Sequence, residues 1–168
     1  MTLWIVLAVV AAVALWAVLA YNRLVRLRNE GDQAFSSIEV QLKRRADLVP
    51  NLVETVKGYA AHEQAVLASV TEARAKTLGA RGFGEVKSAD QAMTAAISGI
   101  FGIAEAYPQL RAAESFVELQ RELTDTEDKV AAARRYYNSV VQRYNTARQS
   151  LPTNLIAARF GFHERDYY

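Results

Sequence analysis

The chain has 168 residues, 51% of them apolar, and its twenty Lys and Arg nearly balance eighteen Asp and Glu, for a net charge of +2. That length allows one domain, or one domain with an anchor, and the charge balance excludes a nucleic-acid binder that works by bulk charge. The absence of cysteine removes disulfide scaffolds, thiolate zinc sites, iron–sulfur clusters and cysteine nucleophiles together.

The chain opens on eighteen consecutive apolar residues, from Leu3 to Ala20, and the first charged side chain is Arg23. A helix of that length spans about 27 Å, close to the roughly 30 Å hydrocarbon core of a bilayer. Leu3, Trp4, Trp16 and Tyr21 are the expected anchor residues, with the aromatic rings suited to the interfaces. A cleaved signal peptide is the alternative, but there is no basic start and no convincing small-x-small cleavage site before Tyr21. Arg23, Arg26 and Arg28 follow the span while Met1 and Thr2 carry no side-chain charge, so the positive-inside rule places the bulk of the chain in the cytoplasm. The expectation is a single-pass protein of a bacterial inner membrane, with its N-terminus outside. Its divisions are an anchor over 1–22 and a helical-bundle domain over 23–168.

No stretch after the anchor alternates like a strand, and Ala, Leu, Glu, Gln, Lys and Arg predict helix throughout. A first amphipathic segment carries Leu24, Leu27, Ala34, Phe35, Ile38 and Leu42. Pro50 predicts a kink or a turn, with Asn51 and Glu54 as a capping box beyond it. A second segment buries Leu52, Val53, Val56, Ala60, Leu67 and Val70. Gly79, Gly82 and Gly84 predict a loop, and Ser88 with Gln91 a capping box opening a third helix that stops by Pro108. Ser115 and Glu118 form another such box. Beyond them Phe116, Leu119, Leu123, Thr126, Val130, Ala133, Tyr137, Val140, Tyr144, Ala147 and Leu151 alternate by three and four without a slip. This stripe predicts a long helix of about 53 Å in coiled-coil-like packing, ended by Pro152. The tail holds Leu155, Ile156, Phe160, Phe162, Tyr167 and Tyr168, too apolar to hang free in water. The expected fold is all-α: a transmembrane helix followed by a long antiparallel bundle of about four helical segments.

No catalytic constellation is legible. Di-metal bundles need Glu-x-x-His pairs, but Tyr59 and Phe160 stand three residues before the two histidines. His62 lacks a second zincin ligand, since Val66 occupies its place. The glycines at 79 and 84 have phosphate-loop spacing, but Glu85 and Val86 replace the required Lys and Ser or Thr. Lys43, Arg44 and Arg45 read as a solvated helix face, and Arg134 with Arg135 likewise. Tyr137–Asn138 and Tyr144–Asn145 stand one heptad apart on the stripe, where the rings pack and each hydroxyl reaches a partner at the bundle edge. A ligand-binding aromatic ladder is the alternative for them. Glu105, between Ala104 and Ala106, is the carboxylate best placed for burial. No cofactor, metal or nucleic acid is expected.

The stretch Tyr21–Arg74, YNRLVRLRNEGDQAFSSIEVQLKRRADLVPNLVETVKGYAAHEQAVLASVTEAR, resembles the LemA family of bacterial membrane-anchored helical proteins. So do AEAYPQLRA at Ala104–Ala112, RRYYNSVVQRYN at Arg134–Asn145 and LPTNLIAARFGF at Leu151–Phe162. Phe35 stands where that family usually has Trp, and Glu39 where Asp is usual. The resemblance implies an N-terminal anchor and a helical bundle, and supplies no catalytic or ligand residue. One branch of the family is associated with intracellular membrane compartments, which implies a membrane-organising role as one reading.

Three functions compete on this basis. The first is a non-enzymatic scaffold or adaptor that self-associates as a homo-oligomer, or binds other membrane proteins, through long helical faces. The second is a membrane-shaping protein whose anchor and aromatic tail both engage the lipid bilayer. The third is a receptor or enzyme with an unrecognised site, for which a closed polar pocket around Glu105 or His62 would be the sign.

Overall fold

A computed structural model describes all residues, 1–168. It is all-α, with six helices and no strand: α1 Thr2–Lys57, α2 Gln64–Gly79, α3 Gly82–Ala106, α4 Pro108–Ala112, α5 Glu114–Gln149 and α6 Thr153–Arg159. The chain forms two compact units. One comprises Met1–Ser36 with Ala133–Tyr168, the other Ser37–Ala132. The expected division after residue 22 falls inside the unbroken α1.

In the second unit, α1 continues through Pro50 without a turn, and Asn51 and Glu54 are helix interior rather than a cap. Proline lacks the N–H that would bond the carbonyl four residues back. That carbonyl belongs to Ala46, and it accepts instead from Arg74 Nε of α2 at 3.1 Å. The break comes later, at 58–63, where no residue forbids helix. Ala60 N–H closes on Val56 O at 2.8 Å, and both residues are buried in one core with Leu52, Leu67 and Val70. Tertiary packing, rather than propensity, sets this turn.

The glycine stretch is mostly helix. Gly79 ends α2, Gly82 and Gly84 open α3, and only Ala80 and Arg81 connect them. Gly82 has φ +74°, a conformation other residues adopt at a cost. Glu85 accepts the Arg81 backbone N–H at 2.8 Å, so the capping expected of Ser88 and Gln91 is done from Arg81, seven residues upstream of Ser88. The short connection makes α2 and α3 an antiparallel hairpin, with Gly99 of α3 against Val66 of α2. Ser115 and Glu118 also lie within helix, because α5 starts at Glu114 after the one-turn α4 that Pro108 begins. Across this core Phe101 meets Phe116 edge-on at 6.1 Å. The Tyr107 hydroxyl donates to Glu63 at 3.2 Å, and that carboxylate holds it above its ordinary pKa.

In the first unit, Leu24 and Leu27 of α1 share a core with Tyr144 and Ala147 of α5, Ala157 of α6 and Phe162. Gly161 ends α6 at φ +68°, and Phe162 N–H returns to Ala157 O at 3.0 Å. This six-to-one bond, with both flanking side chains in the core, is the Schellman way of stopping a helix.

Candidate functional site: a bare apolar helix and a clasped tail

The first eighteen residues of α1, Thr2 to Leu19, lie outside any core. Leu3, Trp4 and Tyr21 are exposed and Trp16 half-buried, and only 6% of the most apolar window, of mean hydropathy 2.8, is covered by protein. Burial begins abruptly: Leu19 is 60% exposed and Ala20 7%. The stretch is long and apolar enough to cross a membrane. Arg23, Arg26 and Arg28 are exposed just after it, and the Arg28 guanidinium lies 5.4 Å over the Phe162 ring.

The α5 stripe divides between the units. Phe116, Leu119, Leu123 and Val130 are buried in the second, and Tyr137, Val140, Tyr144 and Ala147 in the first. Leu151, expected as its last member, is 80% exposed because α5 ends at Gln149 and the chain turns before it.

Residues 163–168 run extended along α5 in the opposite direction, and the two Tyr–Asn pairs hold them there. Tyr144 Oη donates to His163 O at 2.8 Å, and Tyr137 Oη to Asp166 O at 3.1 Å. Asn145 takes the Arg165 backbone N–H on its Oδ1 at 3.1 Å and returns Nδ2 to Arg165 O at 2.9 Å. Asn138 repeats this with Tyr168, accepting its N–H at 2.8 Å and donating to its carbonyl at 3.5 Å. The match is geometric. Seven helical residues rise about 10.5 Å and three extended ones about 10 Å, so one heptad of α5 meets every third tail residue. Burial pushes the Tyr137 and Tyr144 hydroxyls above their ordinary pKa, against an opposing pull from Arg165.

Side chains of the tail complete the clasp. Arg165 donates Nη1 to Arg28 O at 2.9 Å and Nη2 to Asp32 at 2.6 Å. Burial lowers the pKa of this guanidinium, and the Asp32 carboxylate together with Tyr137 more than reverses that, leaving it raised. Gly31 leaves room for the approach: a Cβ there would lie 3.1 Å from Arg165 Nη1, so the guanidinium would have to give by a few tenths of an ångström. The Tyr168 ring stands edge-on to Tyr137 at 6.4 Å and receives the Arg134 guanidinium at 5.5 Å. Arg148 pairs with Glu164 at 2.7 Å.

The second unit contains a buried ionic group. Arg45, 4% exposed, reaches Glu127 at 2.7 Å, Asp90 at 3.7 Å and Thr94 Oγ1 at 3.0 Å, and Asp90 is 1% exposed. Arg45 is therefore no part of a solvated basic face, although Lys43 and Arg44 are. Glu105 and His62 are both exposed, and neither lines a described cavity. No group of three or more His, Asp or Glu side chains is arranged around a metal position. A cavity of about 710 Å³ is an open groove lined by Val53, Ala61, Leu67 and Ala68 among others.

The model of the LemA family matches residues 34–168, four fifths of the chain and all of the tail clasp on α5. The chain belongs to the LemA family. Among curated relatives, the magnetosome protein MamQ of Magnetospirillum gryphiswaldense is 25% identical over 174 aligned positions, covering 88% of this chain and 64% of that protein. MamQ 2 of Paramagnetospirillum magneticum is 25% identical over 189 positions, covering 97% and 69%. Protein LemA of Metamycoplasma hominis is 27% identical over 146 positions, covering 84% and 65%. The chain thus spans about two thirds of the length of the relatives it matches.

Arg165 and Asp32 do not stand out in the sequence of this LemA-family chain, because they lie over a hundred residues apart, and the spacing of Asn138 and Asn145 gives no sign of the backbone groups that they hold. Arg45 and Asp90 did leave a signal. Arg45 sits on the stripe of Ile38, Leu42, Val49 and Leu52, and Asp90 on that of Val86, Met93 and Ile97, where apolar residues belong.

Proposed function

We propose that this protein is a single-pass, membrane-anchored, non-enzymatic scaffold or adaptor that associates with copies of itself, and with other membrane proteins, through its helical faces. One observation carries the reading: the apolar part of α1 stays bare to Leu19, and the folded body starts at Ala20 on the same helix. A core helix of a soluble protein would be covered by its own chain, and this stretch is not. The basic residues Arg23, Arg26 and Arg28 support a cytoplasmic body in the inner membrane. Membership of the LemA family, and relatives named as magnetosome proteins, support a place at a membrane.

Self-association follows from the tether. Anchoring confines copies to one surface in parallel orientation and raises their effective concentration. Cyclic symmetry about the membrane normal keeps every anchor in the same bilayer. Light scattering of the full-length protein in mild detergent is the test. An oligomer of fixed mass is expected, and a strict monomer across micromolar concentrations overturns the homo-oligomer. A phosphatase fused after Tyr168 is expected to be inactive in intact cells; activity there would put the body outside.

A further inference from the structure

Helix α5 runs antiparallel to α1 within the first unit, since Glu30 meets Arg143 and Tyr136 while Leu24 packs with Tyr144 and Ala147. The tail runs antiparallel to α5, from His163 at Tyr144 to Asp166 at Tyr137. The chain therefore approaches the bare end of α1 along α5, reverses, and leaves along the tail. The reversal is α6 with its flanking turns, and its height is fixed by aromatic contact. Tyr21, immediately after Ala20, meets Phe160 at 5.0 Å and Phe162 at 5.6 Å, both edge-on.

At that height the reversal, α6 with its flanking turns, divides its apolar residues into two sets. Ala157 and Phe162 face the core, whereas Leu151, Leu155 and Phe160 are 80%, 65% and 58% exposed. Three large apolar side chains around a seven-residue helix form an outer face that water does not favour. Arg159 on α6, with Arg23 and Arg26 on α1, is exposed beside the same boundary. We infer that α6 is a second membrane contact: Leu151, Leu155 and Phe160 enter the interfacial region of the bilayer that α1 spans, and the arginines meet lipid phosphates. The position chooses the occupant, because a surface level with the end of a transmembrane span faces lipid headgroups. This rests on the reading of α1 as a membrane anchor.

The absence of cysteine makes single-site labelling clean. Leu155→Cys, Val10→Cys and Ser36→Cys, each in the full chain, carry a nitroxide and are reconstituted into vesicles of phosphatidylcholine and phosphatidylglycerol. Collisions with oxygen, which concentrates in lipid, are compared with those of a water-soluble nickel chelate. Position 155 is expected to show an oxygen-to-nickel ratio several-fold above that of Ser36→Cys, in the direction of Val10→Cys. A ratio at 155 equal to that at 36, with position 10 in lipid, overturns the second contact and leaves the anchor standing. Position 10 open to nickel overturns both. Shielding of 155 from both reagents marks a protein neighbour, such as a second copy, and also overturns the inference.

Discussion

Arg74 donates its Nε to the backbone carbonyl of Ala46, the acceptor that Pro50 leaves without its helical partner. A side chain of α2 thus repairs the gap that a proline opens in α1, and α1 continues for two further turns. Arg74→Met is expected to lower stability by about 1–3 kcal/mol, the cost of leaving a shielded backbone carbonyl unpaired. The same change in a Pro50→Ala background should cost less, because the restored amide serves Ala46. Urea unfolding of the four proteins in detergent measures the difference, and equal losses in both backgrounds would refute the repair.

Asn145 pairs with both backbone groups of Arg165 and is itself buried. Asn145→Ala should loosen the tail by about 1–3 kcal/mol. Trypsin cleavage after Arg165 reads this directly. It is expected to quicken in the variant, and an unchanged rate would mean that Asn145 does not hold the tail.

Alkaline pH should open the same clasp. Tyr137 and Tyr144 have raised folded-state values and donate to carbonyls, which a tyrosinate cannot do. A group raised on folding contributes stability that is complete below its unfolded value, about 10 for tyrosine, and is lost as the pH climbs through the folded value. Anisotropy of a dye on His163→Cys is expected to fall above about pH 10. With Tyr137→Phe and Tyr144→Phe together, the tail should be looser at neutral pH and show no such step.

Arg45 and Asp90 make a stability prediction of a different kind. Removing one member of a buried ion pair strands the other charge, so Arg45→Met should cost about 3–5 kcal/mol. Adding Asp90→Asn should recover part of that loss. A thermal midpoint for Arg45→Met no lower than that of an exposed control, Arg44→Met, would show that the pair is not needed.

Several of these features were readable in the chain and several were not, and the difference is one of range. The α5 stripe is a local repeat, so Phe116 to Ala147 announces both a helix and its buried face. The bare anchor is equally local. Pro50 is not, because its effect on α1 is decided by Arg74, which the sequence places a whole hairpin away. The turn at 58–63 has the same character: Gly58 has an ordinary helical partner, Glu54, and only the shared core of Val56, Ala60 and Leu67 explains why the helix stops. For the Tyr–Asn pairs, the heptad spacing was visible and the packing role with it. Their second role depends on an extended strand of backbone, which carries no side-chain signature to recognise.

The first unit is assembled from two segments with the whole of the second unit between them in the chain. Synthesis therefore delivers Ser37–Ala132 in full before Ala133–Tyr168 exists, and domains assemble as their residues emerge. Until then Leu24, Leu27 and Gly31 wait beside the apolar helix without the residues that cover them. A message cut short between residue 132 and Tyr144 would leave Ser37–Ala132 complete and Leu24 and Leu27 uncovered. Quality control that reads exposed apolar surface would then act near the start of the chain for a defect near its end.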